Sequence, residues 1–409
     1  MINHSALYKS FSIQFREKWM NCPNEFPDSK KRFSLIEKYM WELKFDHFLN
    51  SIKEQSQLEE PNSKEILNLT KKFFQEGLAY SNDQLALIFS DEMVTATKDF
   101  ILKSWEFDPN LKHEEVFQAL RNIWIILGLQ SFFGKDIRIT PSLLAYSLLY
   151  PYTDNFIDDA SISKDEKQEF CQRFALRLGG TKLIAKSEIE SRIFSLVKMI
   201  ESEFDRCKYP KVYESLLDIH HAQTKSIELL GSQPHLSEEE SFQICIIKGA
   251  TSVIADGYLI LGELNENQLQ FLFEYGAYLQ ILDDLQDAKQ DYQEGTMTCF
   301  SRLLPHKKLD QILCKTYYLG KSVLETINNL YPNEQAFYGL IKRSFGLLFL
   351  ASITQNQQDF SQDFIHKMEK HSPFRFSFLQ KRVQKLKPIR NFVVQRAEEF
   401  RMRKTSFSF

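Results

Sequence analysis

Two groups of aspartates carry the spacing most suggestive of chemistry in this chain: Asp154-Asn-Phe-Ile-Asp158-Asp159, and Asp283-Asp284-Leu-Gln-Asp287-Ala-Lys-Gln-Asp291. Residues four apart stack on one face of a helix. Asp154 and Asp158 therefore point the same way, and Asp283, Asp287 and Asp291 line one stripe. Stacked carboxylates repel, so an isolated helix does not choose this arrangement without a counter-charge. The segments around them are apolar: Leu143, Leu144, Tyr146, Leu148, Leu149 and Tyr150 precede the first group, and the nearly uncharged run from Tyr275 to Leu282 precedes the second. A lone DxxxD on a helix is commonly a solvated face. Two of them, each on a predominantly apolar helix, point to divalent cations. Mg²⁺ takes oxygen donors, keeps waters and favours a phosphate partner. Cations held this way stabilise charge on a departing diphosphate, and the carbocation left behind survives only if water is kept out.

Other ways of reading the acids fit less well. A di-iron carboxylate bundle needs paired Glu-x-x-His motifs, and none of the nine histidines falls three residues after a Glu. Phosphate-binding glycine loops are absent.

The elements that must position these acids are readable from helix punctuation. Thr140-Pro141 is a cap followed by Pro at the first helical position, predicting a helix to about Ala160, loosened at Pro151. Ser163 to Glu166 is a capping box, with Gly179-Gly180 as its stop. Ser237 to Glu240 is another, opening a helix to about Glu263. Asn265 to Gln268 opens the next, which reaches Gln293 and stops at Gly295. Residues 1–110 read as amphipathic helices broken near Pro23–Pro27 and Gln57–Ser63. The expected layout is an N-terminal helical extension over 1–110 packed on the core, a helical core over 111–360 and a basic helical tail over 361–409.

Composition agrees with an all-α protein: of 409 residues only 14 are Gly and 12 Pro, too few for a turn-rich β architecture. Phe is abundant at 35, which fills a core and also suits an apolar cavity whose rings face a cation. The six cysteines are scattered, with no CxxC pair, so reduced thiols in a cytoplasmic protein are expected. Met1 to Trp19 lacks a signal-type apolar stretch, and the longest uninterrupted apolar runs are too short to span a bilayer. Net charge is −3, unevenly spread: His366 to Phe409 carries twelve Lys or Arg and three Glu, or +9, leaving −12 elsewhere. Such a tail attracts phosphates or an anionic membrane surface; a solvated helix face is the plainer account. No nucleic-acid partner is expected.

The stretch Gly276 to Asp287, with Gly276 and Gln280 ahead of the acids, resembles the second aspartate-rich motif of trans-prenyltransferases. It is also similar to squalene and phytoene synthases, whose second DxxxD would fall on Asp287 and Asp291, and to terpene cyclases, whose ligands would fall on Asp283, Asp287 and Asp291. Asp154-x-x-x-Asp158-Asp159 resembles the first motif of squalene synthases, and Ser131-Phe132, Pro141, Ala145 and Tyr150 are similar to its approach in phytoene synthases. The resemblance is to the class I isoprenoid synthase superfamily and covers roughly 130–305. It implies an all-α, class I terpenoid synthase-like bundle around a central apolar cavity, about three Mg²⁺ ions and a prenyl diphosphate substrate. Asp154, Asp158 and Asp287 would be the catalytic ligands, with Asp159, Asp283, Asp284 and Asp291 completing the metal set. Lys248, Arg173, Arg177 and Arg302 would meet the diphosphate; salt bridges are the competing role for Arg173 and Arg177, and a snorkelling lysine for Lys248. Among His220, His221, Gln223 and Lys225, one could act as a base, against a structural histidine.

Departures from the family pattern shape the reaction. Ala160-Ser161-Ile162 stands where prenyltransferases have Arg-Arg-Gly, Gly295-Thr296-Met297-Thr298 replaces Gly-Lys-x-Thr, and Gly134-Lys135 lies too near Asp154 to be their upstream second-substrate segment. Lys248-Gly249 also breaks their Lys-Thr pair. A one-substrate terpene synthase acting on a long-chain prenyl diphosphate, by cyclisation or elimination, therefore ranks first. A two-substrate prenyltransferase or squalene-type condensing enzyme ranks second. A non-catalytic helical protein whose acidic stripes bind partners or calcium ranks third. Dimers are common in the resembled families, which makes a homodimer the assembly to look for.

Overall fold

The computed structural model describes residues 4–27, 31–57, 62–159, 161–230, 236–304, 306 and 308–382. Most of the expected basic tail, residues 383–409, lies outside the described residues, as does the side chain of Asp158. Among the described residues the fold is all-α, with one isolated antiparallel bridge between Leu230 and Thr296. The helices are α1 (His4–Met20), α2 (Leu35–Ser56), α3 (Ser63–Lys72), α4 (Asn82–Phe89), α5 (Asp91–Phe107), α6 (His113–Phe132), α7 (Pro141–Asp158), α8 (Lys164–Leu178), α9 (Glu188–Glu203), α10 (Pro210–Ser226), α11 (Glu238–Leu261), α12 (Glu266–Glu294), α13 (Asp310–Leu330), α14 (Gln335–Gln355) and α15 (Gln362–Lys370).

Helix ends fall where local chemistry dictates. The Thr140 hydroxyl accepts from the Leu143 N–H at 3.4 Å, and Pro141 opens α7, which stays helical through Pro151. Ser163 and Glu166 form the capping box of α8. Ser237 and Glu240 exchange hydrogen bonds of 2.8 and 3.1 Å ahead of α11. Asn265 and Gln268 do the same, at 2.9 Å each way, for α12. Gly180 (φ +97°) and Gly295 (φ +78°) adopt left-handed backbone just past α8 and α12, a region that β-carbon-bearing residues avoid.

The chain forms two compact units. One comprises residues 1–86, 225–250 and 269–389; the other comprises 87–224, 251–268 and 390–409. The first holds a phenylalanine-rich core in which Phe45, Leu49, Phe73, Phe374 and Leu379 are buried, with Phe48 and Phe73 stacked at 4.3 Å. Charged groups there are paired: Lys18 Nζ donates to both Glu274 oxygens at 2.7 Å, and Glu42 accepts from Arg375. In the second unit α7 packs between α6 and α9, and Tyr146 on α7 donates from its hydroxyl to the Ser252 carbonyl at 3.1 Å.

Among the described residues two helices, α11 and α14, have the length and apolarity to cross a membrane. Counting uninterrupted apolar runs misses them, because Lys248 and Asp256 interrupt α11, and Lys342 and Arg343 interrupt α14. The apolar window of α11 is 72% buried, as in a core helix, whereas that of α14 is 33% buried.

Candidate functional site

The first acidic group ends α7, in the second unit. Asp154 is half-buried, and its Oδ1 accepts from Gln223 Nε2 on α10 at 2.9 Å. That amide is itself buried, so it fixes the carboxylate's orientation. Asn155 donates to Glu115 at 3.2 Å. Asp159 is exposed, and its Oδ1 accepts from the Ser161 N–H at 2.8 Å and hydroxyl at 2.6 Å, closing a turn behind the helix. Those bonds hold its carboxyl below the usual aspartate range.

Beside Asp154 lies a small cavity of about 20 Å³, lined by Tyr146, Leu149, Thr153, Phe174, His220 and Gln223 among others. It admits one water, not a prenyl chain. His220 is buried, and its Nε2–H donates to the Cys171 carbonyl at 2.8 Å. Burial pushes its pKa down to about 4, with His221 adding a smaller push, so the ring is neutral. It is a satisfied structural histidine.

This depressed pKa has a consequence for stability. Below about pH 6.5 the unfolded chain takes up a proton that the folded ring refuses until about pH 4, so stability present above pH 6.5 is lost across that window. The loss is on the order of 3 kcal/mol. His220→Gln should melt with a weaker acid dependence than the native chain between pH 7 and pH 4.5. Parallel curves for the two would show that His220 does not contribute.

The second acidic group lies on α12, in the first unit. Asp287 is exposed, Asp283 and Asp291 are half-buried, and Asp284 is buried. Asp284 Oδ1 accepts from Gln280 Nε2 at 2.8 Å, while its buried Oδ2 has no hydrogen-bond partner among the described residues. Burial pushes Asp284 up to about 6, with the charge of Asp283 adding and with Gln280, Cys245 and Lys248 pulling it back. Asp291 is pushed up to about 8 by burial and then by Asp284, Asp287, Asp283 and Glu294. Burial and like-charged neighbours together work against ionisation of Asp291.

Lys248 on α11 is half-buried and close enough to act electrostatically on Asp284. Gly249 explains how α11 comes so near: a β-carbon there would sit 2.4 Å from the Gly276 carbonyl oxygen and 2.5 Å from Gln280 Cβ. Gly249 thus marks a close helix crossing. Arg302 follows α12 and donates to the Ser241 hydroxyl at 2.7 Å, tying down the start of α11.

The two remaining arginines are taken up elsewhere. Arg173 binds both oxygens of Glu190 at 2.6 and 2.9 Å, and Arg177 both oxygens of Glu201 at 2.7 and 2.6 Å. Both guanidiniums are largely buried. Breaking such a pair leaves an uncompensated glutamate, so neither is free to serve a diphosphate.

Among the described residues no three His, Cys, Asp or Glu side chains converge tightly enough to hold a metal by themselves. Mg²⁺ commonly binds through one or two carboxylates together with substrate phosphates, and α7 and α12 each carry carboxylates. A groove of about 560 Å³ in the first unit is lined by Lys18, Glu17, Lys321 and Glu325 among others, too polar for a prenyl chain. No known family model, curated protein or solved structure matches the chain.

Proposed function

We propose that the chain is a Mg²⁺-dependent class I terpene synthase with the corresponding helical-bundle fold, acting on one long-chain prenyl diphosphate. The observation that carries this reading is the crowded acidic ladder on α12, where burial and neighbouring carboxylates push Asp291 up to about 8, with the buried Oδ2 of Asp284 lacking a hydrogen bond among the described residues and Lys248 near it. Asp154 and Asp158 on α7 and Asp283, Asp287 and Asp291 on α12 would hold the metal ions, which when bound neutralise charge on the leaving diphosphate. Asp159, engaged in its turn, and Asp284, below the ladder, would support them.

The protein's own groups have distinct tasks. Gln223 holds the Asp154 carboxylate in one orientation. Lys248 supplies a fixed cation for the diphosphate. The cation formed when the C–O bond breaks would need water kept out, a task that the uncharged residues preceding the acids on α7 and on α12 would serve. His220 donates its Nε2 proton to a carbonyl and remains neutral, leaving the released diphosphate as the base for the final deprotonation.

Incubation with Mg²⁺ and single prenyl diphosphates of increasing length, with and without isopentenyl diphosphate, tests the reading. Hydrocarbon from one substrate is expected. A longer diphosphate would mean chain elongation, and no diphosphate release from any substrate would mean a binding protein. The role of Gln223 gives a separate expectation. Gln223→Leu should raise the Mg²⁺ concentration needed for half-maximal turnover by about tenfold, with little change in KM. An unchanged Mg²⁺ dependence would contradict it.

A further inference from the structure

The α2 helix turns large apolar side chains to solvent. Leu35 and Ile36 are each 77% exposed, Tyr39 55%, Met40 52% and Leu43 45%. At i, i+1, i+4, i+5 and i+8 they form two adjoining ridges of one helix face. The other face is already committed: Lys38, Glu42, Phe45, Leu49 and Ile52 are buried in the first unit. The outer stripe therefore contributes nothing to that core, and contiguous exposed patches of this kind mark interaction surfaces.

Cations flank it, one of them, Lys31, paired with half-buried Glu37 at 3.6 Å. Lys31 and Arg32 are exposed just before the helix, and Lys44 is exposed on its flank. Exposed Lys370 is brought to the same end by a hydrogen bond from the Phe33 N–H to its carbonyl at 2.9 Å. The chain also leaves the described structure beside α2. Arg382 Nη2 donates to Asp46 at 2.8 Å, and residues 383–409 that follow contain seven Lys or Arg against two Glu. In the same unit, α14 is long, apolar and only 33% buried, and its Leu350 packs on the cluster that contains Phe45.

An apolar stripe with a cationic rim matches a surface that is anionic at its edge and apolar within, the two layers of an acidic bilayer. We propose that the outer face of α2 is a membrane-docking surface for anionic phospholipid, with the stripe entering the acyl boundary and the basic rim meeting the headgroups. This does not rest on the isoprenoid reading, although a bilayer is where a long prenyl chain partitions.

Flotation of the full-length protein with phosphatidylcholine vesicles containing roughly one third phosphatidylglycerol, against pure phosphatidylcholine vesicles, tests it. The native chain should float with the acidic vesicles and be released by salt. Ile36→Glu/Met40→Glu, at positions outside the core, should lower the bound fraction about tenfold with an unchanged melting curve. Lys31→Glu/Arg32→Glu should remove the salt-sensitive part. The proposal is overturned if the apolar double variant floats like the native chain, or if the native chain ignores both vesicles. It is equally overturned if light scattering shows a dimer that this variant splits, since the stripe would then join two copies.

Discussion

Asp287→Ala should abolish diphosphate release, by about 10³-fold or more, while leaving the melting temperature unchanged or slightly raised. Asp287 is exposed, and exposed substitutions rarely move stability by more than about 0.5 kcal/mol. Removing it also relieves like-charge repulsion with Asp283 and Asp291, one turn away on either side. Stability and activity should therefore part company, which a merely structural role would not produce. At the first group Asp154→Asn is the cleaner change. Removing the side chain would cost the buried Gln223 amide one hydrogen bond, at about 0.5–1.5 kcal/mol, whereas Asn keeps a carbonyl oxygen as acceptor and deletes the charge. Its turnover should fall by a similar factor. Full activity in either variant would defeat the metal assignment.

Gly249→Ala should destabilise the protein, against the usual gain from replacing a helical glycine. Its new methyl would have to displace the backbone of Gly276 and the Cβ of Gln280, neither of them the loose end of a flexible side chain. Overpacking of this kind costs about 1–3 kcal/mol. Separating α11 from α12 also draws Lys248 away from Asp284, so activity should fall beyond what the lost stability explains. Gly128→Ala and Gly346→Ala are the controls. Both glycines lie in helices with nothing within 4 Å of the added carbon, and Ala there should stabilise by about 0.5–1 kcal/mol. Melting curves read all three. A neutral Gly249→Ala would mean the crossing is looser than described.

Much of the helical frame was legible because helix ends are local events. Thr140, Ser163, Ser237 and the Asn265–Gln268 pair each satisfy amide groups within three residues, so sequence alone shows them. Gly180 and Gly295 mark stops for the same reason. Depth and partnership were not legible. Spacing puts Asp283, Asp287 and Asp291 on one stripe, but only packing shows that Asp284, off that stripe, is the buried member. Asp154 and Gln223 lie 69 residues apart, and no local pattern links them. Arg173 and Arg177 look like a free pair on α8 until α9 brings Glu190 and Glu201 against them. On α2 both faces are apolar at helical spacing, and the sequence does not say which one the core takes.

The most direct test uses Mn²⁺ as a spectroscopically visible stand-in for Mg²⁺, titrated into the full-length protein with inorganic diphosphate. If both acidic groups serve one diphosphate, the ions should bind tightly only when diphosphate is present, and Asp154→Asn and Asp287→Asn should each abolish that binding alone. Ion and diphosphate affinities left unchanged by either substitution, or ions lost from one group while the other binds as before, would contradict the account.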